Sequence, residues 1–221
     1  MTDYKEIHAS FLIADLMGYT SLTEAHGDLS AADLVSKYIK IVKESLKKDT
    51  ILVDNIGDEV LITSGNTESL VNTAIDLFNK IENEPYFPSI HIGLHTGKVI
   101  KREGRYFGNT LNLTSRICSY SRGEQILCSY EIVKFTQKSG KYDFIKIGDI
   151  RFKNVTKAIA VYEIIIKKSG RKKFPIDPVC KMHVDKNNAS GKLQFKNKEY
   201  FFCSYECSKK FICNPGDYIS K

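Results

Sequence analysis

Phe11-Leu12-Ile13-Ala14-Asp15 and, further along, Asp54-Asn55-Ile56-Gly57-Asp58-Glu59-Val60-Leu61 decide the reading of this chain. The first is an apolar run that closes on an acid, so His8 to Asp15 reads as a buried strand. The second reads as two strands, Ile51 to Ile56 and Val60 to Thr63, joined through the turn Gly57-Asp58. An acid at the end of a buried strand and another in a tight hairpin form a donor pair for hard divalent cations, which prefer carboxylate oxygen.

Outward from these two stretches the periods alternate. Thr20-Ser21 offer helix-capping hydroxyls, with Glu24 three residues after Ser21 as in a capping box. Leu34, Tyr38, Ile41, Val42 and Leu46 recur at helical spacing, and a second helix is expected from Glu68 to Ile81. Beyond Pro85 and Pro88, Ile90 to Leu94 and Lys98 to Lys101 are expected to pair as a hairpin. A helix over Thr110 to Ser121 follows, then strands over Gln125 to Cys128, Tyr142 to Ile150 and Ala158 to Ile166. Strands and helices in this order give an α+β, ferredoxin-like βαββαβ domain.

Gly93-Leu94-His95-Thr96-Gly97 and the run from Arg105 through Asn112 to Arg116 complete an ordered set of motifs. Over residues 7 to 165 the chain resembles a class III nucleotidyl cyclase domain, the family that makes cyclic nucleotides. The resemblance implies that Asp15 and Asp58, with the Leu16 carbonyl, hold two Mg²⁺ or Mn²⁺ ions, and that Gly18, Tyr19 and Thr20 face the triphosphate. It also implies that Asn112 orients the ribose and that Arg116 stabilises charge on the α-phosphate. Four residues apart, these two share one helix face. Lys153 matches a lysine that reaches the triphosphate in the family, although Asn154 stands where the family usually has Gly. Because the family divides its site between two subunits, the resemblance implies a homodimer.

At the two positions that read the base, the chain carries Asp54 and Arg105, the reverse of the Lys and Asp of adenylate-specific members. An acid complements the N1–H and N2–H₂ donors of guanine, so GTP is expected to be used at least as well as ATP. A pyrimidine nucleotide stays open, as does a plain Asp54–Arg105 ion pair that reads nothing. Among the histidines, His95 is expected to pack or hydrogen-bond near the site, and His8, His26 and His91 to be structural. Cys118 and Cys128 read as small core residues.

The C-terminal end differs in composition. Four of the six cysteines, Cys180, Cys203, Cys207 and Cys213, lie in the last part of the chain. From Lys167 onward there are 13 Lys and Arg against 5 Asp and Glu, which accounts for the whole chain's charge of +7. Ile176-Asp177-Pro178-Val179-Cys180 and Tyr200-Phe201-Phe202-Cys203-Ser204-Tyr205-Glu206-Cys207 resemble a YHS domain, related to small metal-binding modules. That resemblance, with the spacing of Cys180, Cys203 and Cys207, implies a Zn²⁺ or other soft-metal site, with Cys213, His183 or a partner as the fourth ligand. We therefore expect a cyclase domain over 1–166, a basic linker over 167–173 and a YHS domain over 174–221.

No apolar run is long enough to span a membrane and no export signal is legible, so a cytoplasmic protein is expected. The basic end lacks any nucleic-acid motif and reads as solvated surface. Two other functions remain open: a catalytically silent nucleotide-binding signalling domain, and a metal-binding protein that uses the cyclase fold only to dimerise.

Overall fold

The computed structural model describes residues 4–166 and 174–219; the basic linker 167–173 lies outside them. β1 (Lys5–Leu16) leads into helix α1 (Tyr19–Ser45), followed by the hairpin β2 (Thr50–Ile56) and β3 (Glu59–Ser64), helix α2 (Thr67–Glu82), β4 (Ile90–Arg102) and β5 (Arg105–Phe107). Helix α3 (Asn109–Tyr120), β6 (Ile126–Ser129), helix α4 (Tyr130–Thr136), β7 (Asp143–Ile150) and β8 (Ile159–Ile165) complete the larger domain. Its sheet runs β2-β3-β1-β4-β6-β8-β7, with β5 folded back on β4.

β1 sits in the middle because both of its faces are apolar. Leu12, Ala14 and Leu16 belong to the main core with Tyr38 of α1 and Leu70 and Leu77 of α2. Ala9 and Phe11 pack on the other face with Val99, Tyr106 and Leu111. Alternation of side chains along a strand puts Asp15 on this second face.

Two expectations change. The hairpin read at Lys98 does not form: β4 is one strand of 13 residues running through Gly97. Its glycines make room for α3 instead of a turn. A Cβ on Gly93 would stand 2.3 Å from the Cys118 amide nitrogen, and one on Gly97 would stand 2.7 Å from Thr110 Oγ1. The capping box at Ser21 and Glu24 also fails to form. The N-cap lies three residues earlier, at Gly18 in the left-handed conformation (φ 70°), with no side-chain cap.

The C-terminal module consists of the hairpin β9 (Gly191–Phe195) and β10 (Lys198–Phe202), helix α5 (Tyr205–Cys213) and the short α6 (Pro215–Tyr218). Phe202 and Phe211 are its fully buried rings, and they belong to the same continuous apolar cluster as the sheet and α1. Main-chain bonds join the two parts as a short extra ladder: His183 donates to Phe87 O at 2.8 Å, and Tyr86 donates to His183 O at 2.9 Å. The buried His183 ring faces Ser89 Oγ at 3.1 Å and the carboxylates of Glu82 and Glu124 at 3.5 and 3.7 Å.

Candidate active site and thiolate cluster

Asp15 ends β1 between two neighbours in register, Glu59 on β3 and His91 on β4. Residues paired across strands share a face, so three titratable groups stand side by side there. Asp58 joins them from the hairpin turn, where Gly57 (φ 60°) takes the first central position, as two-residue hairpins prefer. His91 Nε2 lies 3.2 Å from Asp15 Oδ2, so His91 is a partner of the acid cluster and not simply structural. Glu59 is a further acid that periodicity alone did not flag.

The electrostatics fit a cation. The Asp58 carboxyl is pushed up to about 6, first by burial and then by the charge of Asp15. Burial and Asp15 also raise Glu59. Carboxylates that penalise one another in this way are relieved by a dication, and the all-oxygen donor set suits Mg²⁺ or Mn²⁺. Leu16 pairs with Ile90 beside them. Gly18, Tyr19 and Thr20 then open α1, whose first amides have no partner within the helix and favour anions.

The face taken by Asp54 is set by a bulge. Leu52 pairs with Ile62, but Asp54 pairs with Leu61, so β2 carries one extra residue at Val53. Without it Asp54 would fall on the opposite face. With it, Asp54 stands on the face of Leu61, Ile13 and Asp15. Sequence periodicity does not reveal such an insertion. Arg105 lies elsewhere: it pairs with Arg102, at the far end of β4 from His91. Eleven residues at about 3.3 Å each put Arg105 roughly 35 Å along the sheet from Asp15. Asp54 and Arg105 therefore form no ion pair within one chain.

α3 buries Thr110, Leu113, Thr114, Ile117 and Cys118, while Asn112 and Arg116 are exposed on its outer side. Neither has a hydrogen-bond or ion-pair partner among the described residues. Lys153 is exposed in the turn between β7 and β8. Phe152 packs edge-on against Tyr120 at 5.8 Å, which holds that turn one helical turn beyond Arg116. Asn154 adopts φ 63°, the left-handed conformation that Asn tolerates better than other non-glycine residues. The departure from Gly at this position therefore leaves the turn intact. One chain thus gathers the acids in one place and exposes Asn112, Arg116 and Lys153 in another.

His95 is buried with Nδ1 2.7 Å from Ser129 Oγ, and burial lowers its pKa. Cys118 and Cys128 are buried free thiols, as expected.

In the C-terminal module the three expected cysteines do converge. Cys180 Sγ lies 3.3 Å from Cys203 Sγ, and Cys203 Sγ lies 3.8 Å from Cys207 Sγ. The fourth member was read as structural: His26, on α1, brings Nε2 to 3.4 Å from Cys203 Sγ and 3.7 Å from Cys207 Sγ. Cys213 is exposed at the end of α5, and His183 faces glutamates, so neither expected fourth ligand belongs to the cluster. Spacing could not find His26, which lies far from the cysteines in sequence. Asp177 organises the loop: its buried carboxylate accepts from Val179 N and Cys203 N, each at 2.8 Å.

Comparison with known proteins agrees with this architecture. The model of the adenylate and guanylate cyclase catalytic domain matches residues 2–166, and that of the YHS domain matches residues 176–221. An uncharacterized protein of Mycobacterium tuberculosis is 32% identical over 120 residues, covering 54% of this chain and 32% of that protein. The adenylate cyclase of Streptomyces griseus is 27% identical over 129 residues, covering 58% and 32%. The chain thus spans about a third of the length of these curated relatives. The catalytic core of a rhodopsin-guanylyl cyclase with converted specificity, solved with ATPαS, superposes with a TM-score of 0.62 at 22% identity, covering 77% of this chain and all of that one. The acid cluster, the glycine-packed α3 and the family match together place the chain in the adenylate and guanylate cyclase catalytic domain family, with a YHS domain following at its C-terminal end.

Proposed function

We propose that the chain is a nucleotide cyclase that works as a homodimer, converting a nucleoside triphosphate to a 3′,5′-cyclic nucleotide and pyrophosphate. The observation that carries this reading is the division of the site. Asp15 and Asp58 meet at one end of the sheet, whereas the Asn112 and Arg116 side chains face outward from α3 with no partner among the described residues. A two-fold dimer brings one protomer's acids to its partner's α3 and so completes two sites.

In this reading Asp15 and Asp58 hold a pair of Mg²⁺ or Mn²⁺ ions, with the Leu16 carbonyl as a further ligand. When bound, the ions neutralise phosphate charge and acidify the 3′-hydroxyl. The hydroxyl gives its proton to solvent water, and its oxygen bonds to the α-phosphorus as the bond to the departing pyrophosphate breaks. Arg116 donates its fork to the α-phosphate oxygens, where charge develops. Asn112 orients the ribose, Lys153 reaches the triphosphate, and the amides of Gly18, Tyr19 and Thr20 bind phosphate oxygens. Asp54, turned onto the acid face by the bulge, accepts from the guanine edge, while Arg105 comes from the partner. We therefore infer GTP turnover at least equal to that of ATP.

The test incubates purified protein with Mn²⁺ and, separately, ATP, GTP, CTP and UTP, with products identified by mass spectrometry and Asp58→Ala as the blank. One cyclic product absent from the blank is expected. A strong preference for cyclic AMP would overturn the base assignment, and no product from a proven dimer would leave a silent signalling domain.

A further inference from the structure

We propose that His26 completes a Cys₃His metal site with Cys180, Cys203 and Cys207, of the class that takes Zn²⁺, and that this site sets the position of the phosphate-facing segment Gly18–His26.

The geometry of the four donors supports the first part. Their ligating atoms lie within 4.8 Å of one another. A tetrahedral zinc with Zn–S about 2.3 Å and Zn–N about 2.0–2.1 Å needs S···S edges of about 3.8 Å and S···N edges of about 3.5 Å. Two of the three S···S edges are 3.3 and 3.8 Å and two of the three S···N edges are 3.4 and 3.7 Å; the Cys180–Cys207 and Cys180–His26 edges lie within 4.8 Å. These sulfurs are well outside the roughly 2.05 Å of a disulfide. Three thiolates and an imidazole in a tetrahedral arrangement select zinc-like ions over oxygen-seeking ones. Asp177, bound to the amides of Val179 and Cys203, fixes the cysteine loops much as outer-shell partners fix metal ligands.

The second part rests on where His26 sits. α1 is broken immediately after it, at Gly27 (φ 82°, ψ 162°). Residues 19–26 are therefore a separate two-turn helix, with the phosphate-facing turn at one end and the candidate metal ligand at the other. The C-terminal module touches both ends. Lys181, next to Cys180, lies over Gly18 so closely that a Cβ there would stand 2.6 Å from its Cγ. Lys210 of α5 donates to Glu24 O at 3.1 Å near the other end. With the four donors joined through one ion, the short helix is held at a fixed distance from the cysteine loops. Without the ion, the short helix keeps the packing of its buried Leu22 in the main core, but its C-terminal end, next to the break at Gly27, loses the bond that fixes its distance from the cysteine loops.

The link to nucleotide binding rests on the cyclase reading above, but the site itself does not, so the test is built on readouts that need no turnover. Full-length protein purified anaerobically is assayed for bound zinc, titrated with Co²⁺ to record thiolate-to-metal absorption, and followed by hydrogen exchange over residues 18–26 with and without Zn²⁺. One metal per chain is expected, with tetrahedral cobalt bands and exchange over 18–26 slowed at least about tenfold by zinc. His26→Ala is expected to weaken metal affinity at least about tenfold, alter the cobalt spectrum and abolish the zinc effect on exchange. Cys207→Ser checks the same readouts from the other side of the interface. Absence of metal, a Cys180–Cys203 disulfide in its place, or His26→Ala indistinguishable from wild type in metal affinity and cobalt spectrum would overturn the site. Metal bound with no change in exchange over 18–26 would overturn the coupling. If the chain also cyclises nucleotide, chelation is expected to raise KM several-fold with a smaller change in kcat.

Discussion

The acid cluster and the thiolate cluster flank the same short helix, yet they are built in opposite ways. Asp15, Asp58 and Glu59 come from adjacent strands of one sheet, but their chemical counterparts Asn112 and Arg116 point outward. Cys180, Cys203, Cys207 and His26 come from two modules but converge fully within one chain. In the proposed reading the acid site is therefore incomplete in a single chain and asks for a second copy. The thiolate site is complete and asks only for an ion. Oxygen donors crowded on neighbouring strands suit a charged substrate, whereas soft donors on loops joined to a short helix that ends at a break suit the control of position.

The sharpest way to break this contrast is to mix two inactive variants. Asp58→Ala and Arg116→Ala are each expected to lower turnover by at least about 10²-fold, through loss of charge stabilisation. Because they damage opposite halves of a two-fold site, mixing them in equal amounts is expected to restore about a quarter of wild-type activity. Failure to recover any activity under conditions where protomers exchange would show that one chain holds the whole site.

Gly93→Ala tests whether α3 must lie flat on β4. A methyl group there meets the Cys118 backbone, and the expected cost is about 3 kcal/mol, read by urea denaturation. Asp177→Ala probes the thiolate side. Two buried amides lose their acceptor, so a loss of about 1–3 kcal/mol and a 10–100-fold weaker metal site are expected, read by thermal unfolding and chelator competition. Turnover in saturating zinc should change far less than in the acid variants. The smallest effect belongs to Asn154→Gly, where the left-handed turn is already formed. Stability within about 0.5 kcal/mol of wild type and unchanged turnover are expected.

Much of the acid site could be read in the chain because its signals are local. A run closing on Asp15, a glycine turn before Asp58 and a helical i, i+4 pair at Asn112 and Arg116 are patterns of neighbouring residues. Three features escaped that reading. The glycines of Gly93 to Gly97 suggested a turn, but they serve a helix that packs from later in the chain. The bulge at Val53 inserts a residue without changing the composition of the strand. Glu59 and His91 looked ordinary until strand pairing set them beside Asp15.

Most strands and helices, the acids, the thiols and the cyclase-like order of motifs were legible in the chain alone. All of these follow from residue type and short-range period. Only the tertiary structure decided which face Asp54 takes, that Asp54 and Arg105 lie apart in one chain, and that His26 joins three cysteines more than 150 residues away. Those outcomes depend on strand register and on the docking of two modules. Both are set by the burial of many side chains at once, which no local pattern encodes.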